Sequence, residues 1–160
     1  MDKNVFLKDI IEFLKDDLID VYGEPESIIV KHLRDSENVD EFTLDWINPV
    51  KQEKQKIVEA SKAKAIIVDK EVIYSEILKN QGKVLLVVNN PKLAVAKAGN
   101  EFFVEKITPG IHPSAIIHPD AQIGKNVYIG ANTVIENCII GDNTIIDANV
   151  HIYSPVIIGK

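Results

Sequence analysis

From Ile111 onward an aliphatic residue returns at every sixth position: Ile111, Ile117, Ile123, Ile129 and Ile135. One residue is then omitted, and the series continues through Ile140, Ile146, Ile152 and Ile158. Two places ahead of each, from Ile117 on, stands a small or β-branched residue: Ala115, Ala121, Val127, Thr133, Cys138, Thr144, Val150 and Val156. A fixed six-residue period, punctuated by Gly124, Gly130, Gly141 and Gly159 as turn formers, predicts a parallel β-helix in which each hexad is one short side.

Residues 1–104 follow other periods. Phe6, Ile10 and Leu14 at four-residue spacing predict an amphipathic helix over 5–15, and Gly23-Glu24-Pro25 predicts a turn soon after. Residues 28–31, 65–68 and 84–88 are apolar runs of strand length. Enough chain separates the last two for a helical crossover between buried parallel or mixed strands. Asn48-Pro49 and Asn90-Pro91 each set a capping residue before a proline whose missing N–H is harmless at the first helical position, so they predict helices over 50–61 and 92–103. Thr108-Pro109-Gly110 reads as a hinge. The expected organisation is an α/β domain over 1–104, a hinge over 105–110 and hexads over 111–160.

Composition narrows the partners. With 46% hydrophobic and 26% charged residues, the chain has the balance of one that buries a core. A net charge of −6 denies it the broad basic face that nucleic acid binding requires. The uncharged runs fall far short of the roughly 20 residues of a membrane span. Lys8, Asp9, Glu12, Lys15, Asp16 and Asp17 interrupt the first apolar stretch, unlike a signal peptide. Cys138 is the single cysteine, so no disulfide can form within the chain and a cytoplasmic location is expected.

The stretch Val87-Val88-Asn89-Asn90-Pro91-Lys92-Leu93-Ala94-Val95-Ala96-Lys97, then Phe102-Phe103, then Ile111-His112-Pro113-Ser114-Ala115, resembles the UDP-3-O-acylglucosamine N-acyltransferases of lipid A biosynthesis, within the hexapeptide-repeat acyltransferase superfamily. The order of parts, a small α/β domain, a hinge and a β-helix, resembles that family too. The resemblance implies a left-handed coil of three hexads per turn. Ile116, Val134 and His151 would then stack outward on one side, Ile139 and Ile157 on the next, Tyr128 and Ile145 on the third. Such apolar columns need cover, which the N-terminal domain and neighbouring subunits of a homotrimer would supply.

The implied reaction joins a hydroxyacyl chain, carried by acyl carrier protein, to the amine of a UDP-linked amino sugar. In the family an aromatic-x-x-Asn-Pro segment holds the uracil, and Phe42-Thr43-Leu44-Asp45-Trp46-Ile47-Asn48-Pro49-Val50-Lys51 occupies its place. The resemblance therefore makes Trp46, Asn48 and Pro49 the substrate-binding residues, with Trp46 supplying a stacking face where Lys51 stands in place of a second aromatic. The implied general base is a histidine of later coils, no residue here is assigned a catalytic role, and this chain by itself is expected to be inactive. The chain stops inside a hexad, at Ile157-Ile158-Gly159-Lys160, as the front portion of a longer enzyme would. Two alternatives stay open: acylation of another nucleotide-linked amino sugar for surface polysaccharide, and a non-catalytic trimeric binding module.

Each candidate also has a structural reading. Trp46 can be a core residue, and Asn48 a helix cap alone. Lys51, Lys54, Lys56, Lys62 and Lys64 can be a solvated helix face rather than a diphosphate site. His112 and His118, six residues apart, point in different directions and read as turn residues before proline. Cys138 is an inward filler. No cofactor and no metal are expected.

Overall fold

The computed structural model describes residues 4–34 and 37–159, and the chain divides into two compact units, 1–104 and 105–160. In the first, Val5–Phe6 (β1) pairs antiparallel with Ile29–Val30 (β3), and Leu7–Phe13 (α1) and Leu18–Tyr22 (β2) lie between them in sequence. Leu44–Trp46 (β4), Lys54–Ala60 (α2), Ala65–Val68 (β5), Glu76–Asn80 (α3), Val84–Val88 (β6) and Pro91–Ala98 (α4) follow. The main sheet has the order β2-β6-β5-β4. Strands β4, β5 and β6 run parallel, and β2 is antiparallel to β6.

Every residue of β5 and β6 is buried, because both faces of the sheet are covered. Ile66, Val68, Leu85 and Val87 pack with Val58 of α2 and Leu78 of α3. Ala65, Ile67, Val84, Leu86 and Val88 pack with Leu7 and Ile10 of α1 and with Ala94, Val95 and Ala98 of α4. Each fully buried Leu or Ile contributes roughly 1.5–3 kcal/mol. At the foot of β6 the buried Lys83 donates to the Val58 and Glu59 carbonyls at 2.6 and 3.1 Å, closing the C-terminal end of α2. Burial pushes this ammonium below the usual lysine range, and the neighbouring Lys64 adds to the effect.

Three sequence expectations shift here. The first helix starts at Leu7, not residue 5, because Val5 and Phe6 are taken up in pairing with Val30 and Ile29. Its buried stripe is Leu7, Ile10 and Leu14, leaving Phe6 45% exposed. The helix expected over 92–103 begins at Pro91, ends as α-helix at Ala98 and widens into a π-helical turn over Gly99–Phe103, closed by Val104 N–H donating to Gly99 O at 3.0 Å. The helix expected from residue 50 begins only at Lys54.

The second unit is a stack of two-residue strands: Gly110–Ile111 (β7), Ile116–Ile117 (β8), Gln122–Ile123 (β9), Tyr128–Ile129 (β10), Val134–Ile135 (β11), Ile139–Ile140 (β12), Ile145–Ile146 (β13), His151–Ile152 (β14) and Ile157–Ile158 (β15). They form three parallel sheets, β13-β10-β7, β14-β11-β8 and β15-β12-β9. These stacked triplets fit the opening of a left-handed β-helix. The second residue of each strand is a phased isoleucine, and Ile129, Ile135 and Ile140 of the middle coil are almost fully buried. Outward registers align Ile116, Val134 and His151; Gln122, Ile139 and Ile157; and Gly110, Tyr128 and Ile145. Gly110, expected in the hinge, is thus already in strand.

Of the glycines expected at the turns Gly159 takes the left-handed conformation, with φ of 74°, and four other corner positions use asparagine. Asn126, Asn132, Asn143 and Asn149 adopt the left-handed conformation, with φ of 56, 57, 60 and 61°. Their side chains pair between coils, Asn126 to Asn143 at 3.3 Å and Asn132 to Asn149 at 3.4 Å. Gly124 and Gly141 have another reason to be small. A Cβ would lie 2.7 Å from the Asp142 nitrogen at the first and 2.5 Å from the Gly159 carbonyl oxygen at the second, so glycine lets successive coils close up.

Candidate functional site

Because β4, β5 and β6 are parallel, their carboxyl ends share one edge, the side of an open α/β sheet where ligands bind as a rule. The segment after β4 carries the three sequence-derived candidates. Trp46 pairs with Ile67 in the sheet and is half-buried, packing against the core on the α1 and α4 side. Asn48 does not cap α2. Its Oδ1 accepts from the Val50 N–H at 3.3 Å and its carbonyl accepts from the Lys51 N–H at 3.0 Å, so it closes a tight turn in which Pro49 and Val50 are exposed.

The delay of α2 has a cause in the next strand. Lys54, the first residue of α2, is buried, and its ammonium reaches Asp69 Oδ2 at 2.5 Å and Glu71 Oε2 at 2.6 Å, just past the end of β5. These hydrogen bonds, Asp69 first, raise the Lys54 pKa. Glu53 ahead of it takes a left-handed φ of 55°, so the chain turns before the helix starts. Lys54 thus leaves the basic run predicted to be a solvated face. Lys51, Lys56 and Lys62 do remain exposed, and Lys56 pairs with Glu53.

The other Asn-Pro pair behaves as expected. Asn90 Oδ1 accepts from the Leu93 N–H at 3.1 Å and Pro91 opens α4. The edge therefore collects Asn48, Lys54, Asp69 and Asn90, with Trp46 beside them in sequence.

A second polar group links β3 to β4. His32 Nε2 lies 2.9 and 3.1 Å from the two Asp40 oxygens, and Asp40 Oδ1 also accepts from Thr43 Oγ1 at 2.9 Å and from the Phe42 N–H at 3.0 Å. Burial pushes the Asp40 carboxyl up, but the hydrogen bonds from His32, Thr43 and Phe42 outweigh it and bring the pKa down to about 2. The Lys31 ammonium sits 3.9 Å from the Phe42 ring centroid, so one face of that aromatic is already covered.

In the coil, His112 Nδ1 accepts from the Ser114 N–H and His118 Nδ1 from the Asp120 N–H, both at 3.2 Å. Each imidazole thus closes its own His-Pro turn, the structural role the spacing indicated. Cys138 is buried among the inward residues, its thiol donating to Tyr153 O at 3.4 Å. His151, of the outward column, meets Glu136 at 3.3 Å, and its ring stacks on Tyr153 at 4.1 Å.

Residues 109–137 match the family model of the bacterial transferase hexapeptide, six repeats. The match covers β7 to β11, and after the one residue omitted between Ile135 and Ile140 the six-residue spacing resumes through β15. This supports placing the coil in the hexapeptide-repeat transferase superfamily. No curated protein matches the chain. Among the described residues no helix is long and apolar enough to cross a membrane, and no cluster of three His, Cys, Asp or Glu residues is arranged to hold a metal ion.

Sequence reasoning missed the links of Lys54 to Asp69 and Glu71 and of His32 to Asp40. The Asp40-x-x-Thr43 spacing was a usable signal for a local turn, since a side-chain oxygen reaching N–H and O–H groups two and three residues on is a recurrent device. Nothing in the sequence marks His32 as its partner.

Proposed function

We propose that the protein is an acyltransferase of the hexapeptide-repeat type, transferring a hydroxyacyl chain from acyl carrier protein to the amine of UDP-3-O-acylglucosamine in lipid A biosynthesis. The observation that carries the reading is the hexapeptide transferase match over 109–137, in a segment whose strands stack in that period. In the reaction the amine nitrogen attacks the thioester carbonyl carbon, the new C–N bond replaces the C–S bond, and the amine proton passes through a base to the leaving thiolate. Trp46, Asn48 and Pro49 are assigned to the nucleotide. Support comes from their place at the carboxyl edge of the parallel sheet and from an Asn48 amide released from helix capping.

The same reading assigns the protein to a homotrimer in the cytoplasm. Ile116, Ile145 and Ile157 stand 65%, 55% and 75% exposed on the three sides of the coil, apolar surface that neighbouring subunits would cover. Light scattering coupled to size exclusion should give three chains per particle at high concentration, and a strict monomer would remove this part of the reading.

The activity is tested by incubating the chain, and beside it a form extended by the coils that carry the implied base, with a hydroxyacyl thioester of acyl carrier protein and UDP-3-O-acylglucosamine, following amide formation by mass spectrometry; turnover is expected of the extended form only. An NMR titration with UDP-GlcNAc against a TDP-sugar should move resonances near Trp46 and Asn48 with the uridine nucleotide only. Equal response to both would favour another nucleotide-linked amino sugar. Response to neither, without turnover, would favour a non-catalytic trimeric module.

A further inference from the structure

The three corners of the coil are not fastened alike. In two of them a backbone bond ties the third coil to the second: Asn143 N–H donates to Lys125 O, and Asn149 N–H to Ala131 O, both at 2.8 Å. The donor in each case stands three residues before a phased isoleucine, Ile146 or Ile152, and the side-chain amide of the same asparagine joins a pair across the coils. At the remaining corner the residue three before Ile158 is Pro155, which has no N–H to give.

That corner is also where the second coil is one residue short, since Ile135 and Ile140 are five apart. A carboxylate replaces the missing backbone bond. Glu136 Oε2 accepts from the Ser154 N–H at 3.0 Å, and Oε1 faces His151 Nε2 at 3.3 Å. The groups around this carboxylate are Ser154 and His151 above it, with Tyr153 stacked on the His151 ring, and His118 below, itself 3.8 Å from Asp120. The Asn126–Asn143 corner also carries a carboxylate, Asp142 Oδ1 accepting from the Lys125 N–H at 2.7 Å, so the Asn132–Asn149 corner, whose side-chain pair does not titrate, is the reference for comparison.

We propose that the Glu136 carboxylate is a protonation-sensitive fastener that holds the loop between β14 and β15 onto the second coil, so that this corner opens in acid while the Asn132–Asn149 corner stays closed. The Ser154 N–H bond holds Glu136 below its ordinary value of 4.5, against the opposing effect of burial and with help from His151 and His118. For a carboxylate held down in the folded state, the contribution is present above the ordinary value and is lost as pH falls through the lowered one. When His151 is protonated, its contact with Glu136 becomes an ion pair, which opposes opening.

Amide hydrogen exchange on the full chain, followed by NMR from about pH 6 to about pH 3 and normalised to unfolded rates, tests this around the glutamate range. Protection at Ser154 should fall at least about five-fold below pH 4.5 while Asn149 holds. In Glu136→Ala, Ser154 should be poorly protected at every pH. In Glu136→Gln, which keeps a neutral acceptor, the Ser154 response to pH should disappear. The proposal is overturned if Ser154 and Asn149 lose protection together. It is equally overturned if Ser154 is flat across the range, or if its response survives either substitution.

Discussion

Asn48-Pro49 and Asn90-Pro91 are the same dipeptide in the same setting, one residue past a strand of the parallel sheet, yet only the second caps a helix. After β6 nothing holds the chain away from the helical path, and Asn90 finds the Leu93 N–H. After β4 the chain is tied further on, where Lys54 is bound to Asp69 and Glu71, and the intervening residues turn rather than coil. A local signature gives a helix start only where tertiary contacts leave the next turn free. Asn48 Oδ1 is left on the Val50 N–H, in a turn rather than at a helix end.

The comparison predicts unequal losses. Asn90→Ala should lower the unfolding free energy by about 1 kcal/mol in urea denaturation, with Asn90→Asp retaining most of the stability. An Asn90→Ala variant as stable as the parent would erase the difference between the two sites.

Cutting the tether should produce a smaller, local change. In Lys54→Met, Cα chemical shifts of residues 50–53 should move toward helical values as α2 grows back toward Pro49. Unmoved shifts would assign the late start to the Glu53 turn rather than to the ion pairs.

Asn48→Ala should have the least effect on stability, within about 0.5 kcal/mol, since it removes one long bond in an exposed turn. The same variant should nevertheless lose the response of Trp46 to UDP-GlcNAc. A loss near that of Asn90→Ala would show Asn48 to be structural after all.

What could be read from the sequence follows from how often an environment repeats. Each hexad meets the same surroundings as the one before, so the period of Ile111 to Ile158 gave the strands, the inward column and the outward registers of Val134 with Ile116 and His151. β5 and β6 were legible because both faces are buried and every residue is apolar. Where a role is set by one partner, the pattern is silent. Phe6 and Leu7 are equally apolar, and only the pairing of β1 with β3 decides which faces the core. Of the candidate site, the sequence singled out Trp46, Asn48 and Pro49 by resemblance but neither the strand β4 that carries them nor the Lys54 links that shape their loop, because bonds spanning 15 and 17 residues leave no periodic trace.

Lys83 gives the N-terminal unit a built-in clock for unfolding. Its amine is sealed against the end of α2 by two carbonyls and is only 3% exposed. An acylating or amidinating reagent should mark Lys51, Lys56 and Lys62 at once and leave Lys83 blank in the peptide mass spectrum. The moment that peptide gains the label dates the separation of α2 from the sheet, with no added probe and no substitution.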